Sequence, residues 1–318
     1  MCGTQLQRSR VGLCAGQSLP LPAPPASECD NVEALEIIHD HSDLFAITIP
    51  INVDRFKSLL SSHPNPPFVW SVCRGLCEGF WPFSNTHYGE WPLTWDNCQC
   101  TPKTPDEAAF LQEQIDKEVE LGHYSVLFIL DLFPGVYSMP VHAVPKPGSK
   151  KFHHVTDHSA GQVALNNMIS HENIAGVTLD NVQDLGNAIR YLRQQEPDLD
   201  LILWKADVSE AYRHMPMHPL WQIKQNVSFH SKRYVDQCNV FRGRAFQHIW
   251  HAFMSLVTWI AVIKYLIYLL YLYVNNSFSA QKREERLFYK HYPKELPSNL
   301  TRLLQLWDFI GLPHEERK

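Results

Sequence analysis

From residue 136 onward, short apolar runs alternate with turn residues; before it, apolar positions are largely aromatic, irregular and broken by proline. Residues 136–144 and 152–156 read as two strands joined by a turn-rich basic tip, Pro145-Lys146-Pro147-Gly148-Ser149-Lys150. Pro140 inside the first run marks it as an edge strand, because proline donates nothing to a ladder. Residues 181–194 predict an amphipathic helix with Val182, Leu185, Ile189 and Leu192 on one face. Residues 201–205 predict a short buried strand that delivers Asp207 at its end. A second strand pair is expected over 223–229 and 234–241, a helix over 246–263, and a hairpin over 265–274 and 277–280. Asn275-Asn276 closes that hairpin, and asparagine tolerates the positive φ of a tight turn. A last helix, about 298–310, ends at Gly311. Upstream, one helix is well signalled: Thr104 suits the N-cap, Pro105 the first turn, and Glu107 completes a capping box. Ala108, Leu111, Ile115 and Val119 form its apolar stripe, and Gly122 stops it near 121. This mixture predicts an α+β fold, an antiparallel sheet with helices on one face.

The 318 residues suffice for a proper buried core, and 45% hydrophobic with 19% charged residues excludes a disordered chain. Three regions emerge: a Ser/Pro/Gln-rich disordered lead-in over 1–30, an aromatic leader over 31–135, and the patterned region 136–318. The leader is expected to be short helices and loops packed by Trp70, Phe80, Trp81, Trp91 and Trp95. The net charge of −5 hides an asymmetry: residues 1–137 hold 7 Lys/Arg against 17 Asp/Glu, and 138–318 hold 21 against 16. A phosphate backbone would lie on the second half. No secretory signal opens the chain, so its eight cysteines are expected reduced and the protein intracellular, in cytoplasm or nucleus. Cys73-x3-Cys77 with Cys98-x-Cys100 is too tightly spaced for a usual structural zinc site. Asp157-His158-Ser159 are adjacent in an extended segment and cannot converge as a triad.

Three blocks carry a family resemblance. The first runs Val144-Pro145-Lys146-Pro147, Lys151-Phe152-His153-His154-Val155-Thr156-Asp157 and Leu165-Asn166. The second is Ala206-Asp207-Val208-Ser209-Glu210-Ala211-Tyr212-Arg213-His214-Met215-Pro216. The third is Tyr273-Val274-Asn275-Asn276. In this order they resemble the fingers and palm of reverse transcriptases, RNA-directed DNA polymerases of retroelements. Upstream, Glu78-Gly79-Phe80-Trp81-Pro82 and Thr94-Trp95-Asp96-Asn97 look like the leader of fungal retroelement enzymes. The resemblance implies that Asp207 and the Val208 carbonyl hold metal, and that Tyr212 gates the sugar 2′-OH. It implies that Lys146, Lys150 or Lys151, with His153, meets the triphosphate. The family uses two Mg²⁺ ions and takes a template–primer of RNA or DNA and a dNTP as partners.

The departures all weaken catalysis. His153 stands where the family has an arginine, and Phe246-Gln247 replaces Ser-Pro. Asn275 and Asn276 occupy both hairpin carboxylate positions, leaving Asp207 to face two hydrated cations alone. With Lys318 the last residue, the expectation is a fragment without a thumb or RNase H region. The expectation is a catalytically dead nucleotidyltransferase scaffold, a pseudoenzyme. A non-catalytic nucleic-acid-binding remnant is one alternative. Another is a membrane protein spanning 252–274, an apolar run with Lys264 in its middle.

Overall fold

The computed structural model describes residues 9–86, 91–97, 102–128 and 131–316. The leading half forms α1 (Arg10–Cys14), α2 (Ala26–Cys29), α3 (Val32–Asp40), α4 (Val53–Leu59) and α5 (Pro66–Glu78). Then come β1 (Trp95–Asp96), α6 (Pro105–Glu120), β2 (Tyr137–Met139), β3 (Val141–Pro145) and β4 (Phe152–Thr156). The second half holds α7 (Val182–Gln195), β5 (Leu201–Asp207), α8 (Pro219–Gln222), β6 (Asn226–Phe229), β7 (Lys232–Val235) and α9 (Phe246–Ile263). It closes with β8 (Tyr271–Tyr273), β9 (Asn276–Lys282), β10 (Arg286–Tyr289), β11 (Lys294–Pro297) and α10 (Ser298–Ile310).

Asparagine caps start several helices: Asn31, Asn52, Asn65 and Asn181 each accept a backbone N–H from the first turn of α3, α4, α5 and α7. At α6 Thr104 accepts the Glu107 N–H at 3.2 Å, but the Glu107 carboxylate takes the N–H of Lys103, one residue earlier than a capping box requires. Pro140 does more than mark an edge. It divides the expected 136–144 strand between two sheets, β2 running parallel to β6 and β3 antiparallel to β4.

Three antiparallel strands in the order β5-β9-β8 carry the candidate site. Trp204, Ala206 and Leu272 point into the main core with α9 and α10, while Tyr271 and Ala280 pack under Leu185 and Ala188 of α7. Helices therefore cover both faces, not one as the pattern suggested: α7 has its own apolar stripe to bury. Val182, expected in that stripe, sits in the first turn and is 79% exposed.

Helix α9 is the centre of the core. Trp250, Phe253, Leu256 and Ile260 are fully enclosed, and α1 and α5 lie against it. Burial contributes roughly 1.5–3 kcal/mol for each such side chain. The helix is long and apolar enough to cross a membrane, but it ends at Ile263 with Lys264 as C-cap, and the chain re-enters as β8. Residues 252–274 thus make a helix and a strand, not a single spanning helix.

The lead-in differs from expectation as well. Over 9–30 it is ordered, because it has both a core and partners: Val11, Ala15 and Leu21 are buried. Buried Asp180 accepts the Ser9 hydroxyl at 2.7 Å and the Arg10 N–H at 2.8 Å. In the leader, Phe80 and Trp81 are core residues, whereas Trp70 is 64% exposed. The Cys98-x-Cys100 pair lies outside the described residues.

Candidate functional site

Strand β5 ends at Asp207, and antiparallel register sets Asp207 opposite Asn276 of β9 and Tyr273 of β8 opposite Asn276. The Val208 N–H reaches back to the Asn275 carbonyl at 3.4 Å, and the Ser209 N–H to the Pro313 carbonyl at 3.2 Å. The loop bearing Asp207 is thus held between the hairpin turn and the segment after α10. On the other side, the Trp250 indole N–H donates to the Val274 carbonyl at 3.0 Å, fixing the turn to α9. The positive φ of this turn falls at Val274, φ 58°, and not at either asparagine. A β-branched residue there is strained, so the asparagines do not owe their place to backbone tolerance.

Asp207, Val208, Tyr212, Asn275 and His153 line one cavity of about 560 Å³. Residues far apart in sequence but assigned to one site do meet. Asn276 does not line the cavity and adjoins it only as the strand partner of Asp207. Lys146, Lys150 and Lys151 do not line the cavity: they sit at the tip of the β3–β4 hairpin, closed by the Lys146 N–H donating to the Lys151 carbonyl at 2.8 Å. Tyr212 is enclosed by Phe241, Phe246 and Trp250, with Phe246 edge-on at 4.7 Å between centroids, and burial pushes its hydroxyl up to about 12. Phe246 thereby fills space that a smaller residue would leave beside Tyr212.

The floor of the cavity holds a cluster that sequence reading missed. Arg213 donates to Glu118 at 2.9 Å and to Asp236 at 2.9 Å, and its guanidinium lies over the Tyr124 ring. Burial alone would raise the pKa of Glu118, but Arg213 and His123 reverse this and hold it well below the carboxylate range. Burial pushes Asp236 up to about 6 in spite of Arg213. Beside them, burial lowers His154 to about 4, leaving it neutral at pH 7. Arg213 lies within the Asp207 block, but its acid partners come from α6 and the end of β7, so no local signal pairs them. Leu165-Asn166 also gains a role: the Asn166 side chain takes the Arg244 N–H at 2.7 Å and donates to the Arg242 carbonyl at 2.9 Å, holding the loop before α9.

The donor set does not fit a pair of divalent metals. Asp207 is the one carboxylate supplied by β5 and the hairpin, and among the described residues no group of three or more His, Cys, Asp or Glu is placed to hold a metal ion. Glu118 is committed to Arg213, and Glu210 to Lys117. One hairpin amide bonds the other instead, Asn276 Nδ2–H donating to Asn275 Oδ1 at 2.9 Å, while the buried Asn276 Oδ1 accepts no hydrogen bond. Two carboxylates could not make that bond, since neither has a proton to donate. Asp157, His158 and Ser159 form no triad: His158 is buried, and the Ser159 N–H simply caps the Asp157 carboxylate at 3.0 Å.

No protein-family model matches the chain, and no curated protein matches it. Among solved structures it is similar to a foamy viral protease–reverse transcriptase in complex with double-stranded DNA, at 13% identity and a TM-score of 0.47. The match covers 94% of this chain and 44% of that one, so the chain spans less than half the length of its structural neighbour.

Proposed function

We propose that the chain is a reverse-transcriptase-like fingers–palm domain of a retroelement in which two-metal nucleotidyl transfer has been lost. The reading rests on the three ordered sequence blocks, and one observation carries the loss: the hairpin facing Asp207 presents two amides bonded to each other. The ancestral reaction, attack of a primer 3′-OH on the α-phosphate of a dNTP, needs charge neutralisation that one carboxylate cannot organise. What this chain's own residues retain is shape: the Asp207 loop clamped by the hairpin, Tyr212 in its aromatic cage, and the basic β3–β4 tip standing clear of the cavity. A template–primer is the partner this shape would bind, as a non-catalytic scaffold and through its phosphates. Primer extension by the purified chain on an RNA template with Mg²⁺ tests the first half of this reading. No incorporation is expected, and template-directed incorporation by the unaltered chain would sink it. Salt-dependent retention of a labelled template–primer tests the second half, and no retention at low salt would leave only a folded remnant.

A further inference from the structure

An exposed apolar surface lies at the far end of α9 from the Asp207 hairpin. The helix is 18 residues long, about 27 Å, with Trp250 tied to the hairpin turn toward one end and Ile263 at the other. Beyond Ile263 the chain makes a fixed turn before β8. The Tyr265 and Ile267 N–H groups donate to the Ile260 and Ala261 carbonyls at 3.3 and 3.1 Å, and Ile267 is wholly buried. With Ile267 and Leu270 pointing inward, Ile263, Leu266 and Tyr268 face water, Leu266 at 52% exposed. Two more segments extend this surface. Lys264 Nζ donates to Ser62 Oγ at 2.7 Å, which brings the turn beside Pro64, and a pocket of about 130 Å³ opens between Gly16, Pro64 and Ile263. The Asn65 carboxamide donates to the Ser18 carbonyl at 2.8 Å and Arg74 to the Leu21 carbonyl at 3.0 Å, so residues 18–21 lie along α5. Leu21 is buried there, but Leu19 is left 85% exposed beside a helix that presents Pro66, Pro67 and Trp70 to solvent. Single exposed apolar side chains are ordinary, whereas a set joined across three segments marks an interaction site.

Charge narrows the partner. Residues 9–27, 55–77 and 257–273 build the surface and hold five Lys/Arg and no Asp/Glu, in a chain whose net charge is −5. Arg10 is engaged by Asp184, and Arg55 by the Phe309 ring and carbonyl, leaving Lys57, Arg74 and Lys264 among the apolar groups. Asp54, in the groove beside Lys57 and Trp70, is the one acid that lines it among the described residues. Aliphatic side chains, a Trp and a Tyr with apolar bodies and polar tips, and long cationic side chains are the combination that enters the headgroup layer of an anionic bilayer. A second copy fits less well. In a twofold dimer the same patch faces itself, and cations without acids then meet cations.

We propose that this surface docks the protein peripherally on an anionic membrane, with Leu19, Trp70, Ile263 and Leu266 entering the interface and Lys57, Arg74 and Lys264 meeting lipid phosphates. Helix α9 stays in the core, so the contact is with one leaflet and is not a span. Nothing in this contact depends on the Asp207 site, which stands at the other end of α9.

Flotation of the full chain with vesicles of phosphatidylcholine, with and without phosphatidylserine, tests it. The parent should float with the anionic vesicles, and high salt should weaken this by screening the phosphate contacts. Leu266→Glu/Trp70→Glu changes exposed side chains, so its circular dichroism and melting should match the parent while it binds anionic vesicles at least about 10-fold less. Lys57→Gln/Lys264→Gln should lose most of the preference for phosphatidylserine, about 5-fold for each cation. Phe288→Ser, which removes an exposed ring on β10, should float like the parent. The proposal is overturned if the parent floats with neither vesicle, if Leu266→Glu/Trp70→Glu floats like the parent, or if Phe288→Ser loses as much as that variant. A parent that does not float but sediments as a dimer, made monomeric by Leu266→Glu/Trp70→Glu, assigns the surface to a second copy and likewise overturns it.

Discussion

Replacing Asn275 and Asn276 together by aspartate tests the charge logic of the hairpin. In the parent the two amides share a 2.9 Å hydrogen bond, and residue 276 pairs with Asp207 across the strands. The double variant loses that bond and gathers three like charges at one end of a three-stranded sheet. Two unit charges about 4 Å apart repel by about 4 kcal/mol at an effective dielectric of about 20. Three such pairs would cost more than most domains can bear, so part of the repulsion is relieved by proton uptake, each pKa unit corresponding to about 1.4 kcal/mol. The folded-state pKa values of the cluster therefore rise above the unfolded carboxylate value. Stability is complete below about pH 4 and is lost as pH rises through the raised values. At neutral pH in EDTA a deficit of about 4 kcal/mol lowers the melting temperature by roughly 6 °C in a chain of this size. Magnesium at 100 times its dissociation constant should return about 2.7 kcal/mol of that deficit to N275D/N276D, and nothing to the parent. Thermal melts of both proteins between pH 4 and 8, with EDTA or Mg²⁺, provide the comparison. If the parent gains as much from magnesium as the variant does, the reading of Asn275 and Asn276 as a dismantled metal site is wrong.

Other consequences can be checked on the parent fold. His158 is buried and held near a pKa of about 4 by desolvation, against 6.5 when unfolded, so its contribution is intact above pH 6.5 and falls away as pH drops toward 4. Urea unfolding at pH 7 and pH 4.5 should differ by about 2.4 kcal/mol from this group alone, and H158Q should flatten that difference. Arg213→Met should cost about 3–5 kcal/mol by leaving Glu118 and Asp236 buried without their cation, read as a lower urea midpoint at unchanged slope. Gly311 ends α10 at φ 77°, and a Cβ built there would stand 2.4 Å from the Pro50 carbonyl oxygen, so Gly311→Ala should lower the melting temperature well beyond an ordinary surface change.

Long or strongly punctuated elements were legible in the chain itself. Helix α9 and helix α10 fall where the apolar run and Gly311 place them, and Thr104 starts α6 because capping is a local interaction. That positions 275 and 276 carry amides and not carboxylates could also be read directly, since it concerns residue identity. Tertiary structure alone decided the rest. Only strand register brings Asn276 against Asp207, and only packing assigns α7 to the second face of the sheet. Residues 9–30 are held by the burial of Val11, Ala15 and Leu21 and, at Ser9 and Arg10, by Asp180 some 170 positions away, and no composition rule contains such partners. The same holds for the Glu118–Arg213–Asp236 cluster on the cavity floor. Local sequence governs turns and caps because their energies act over a few residues, whereas buried ion pairs and cavities exist only once distant segments have met.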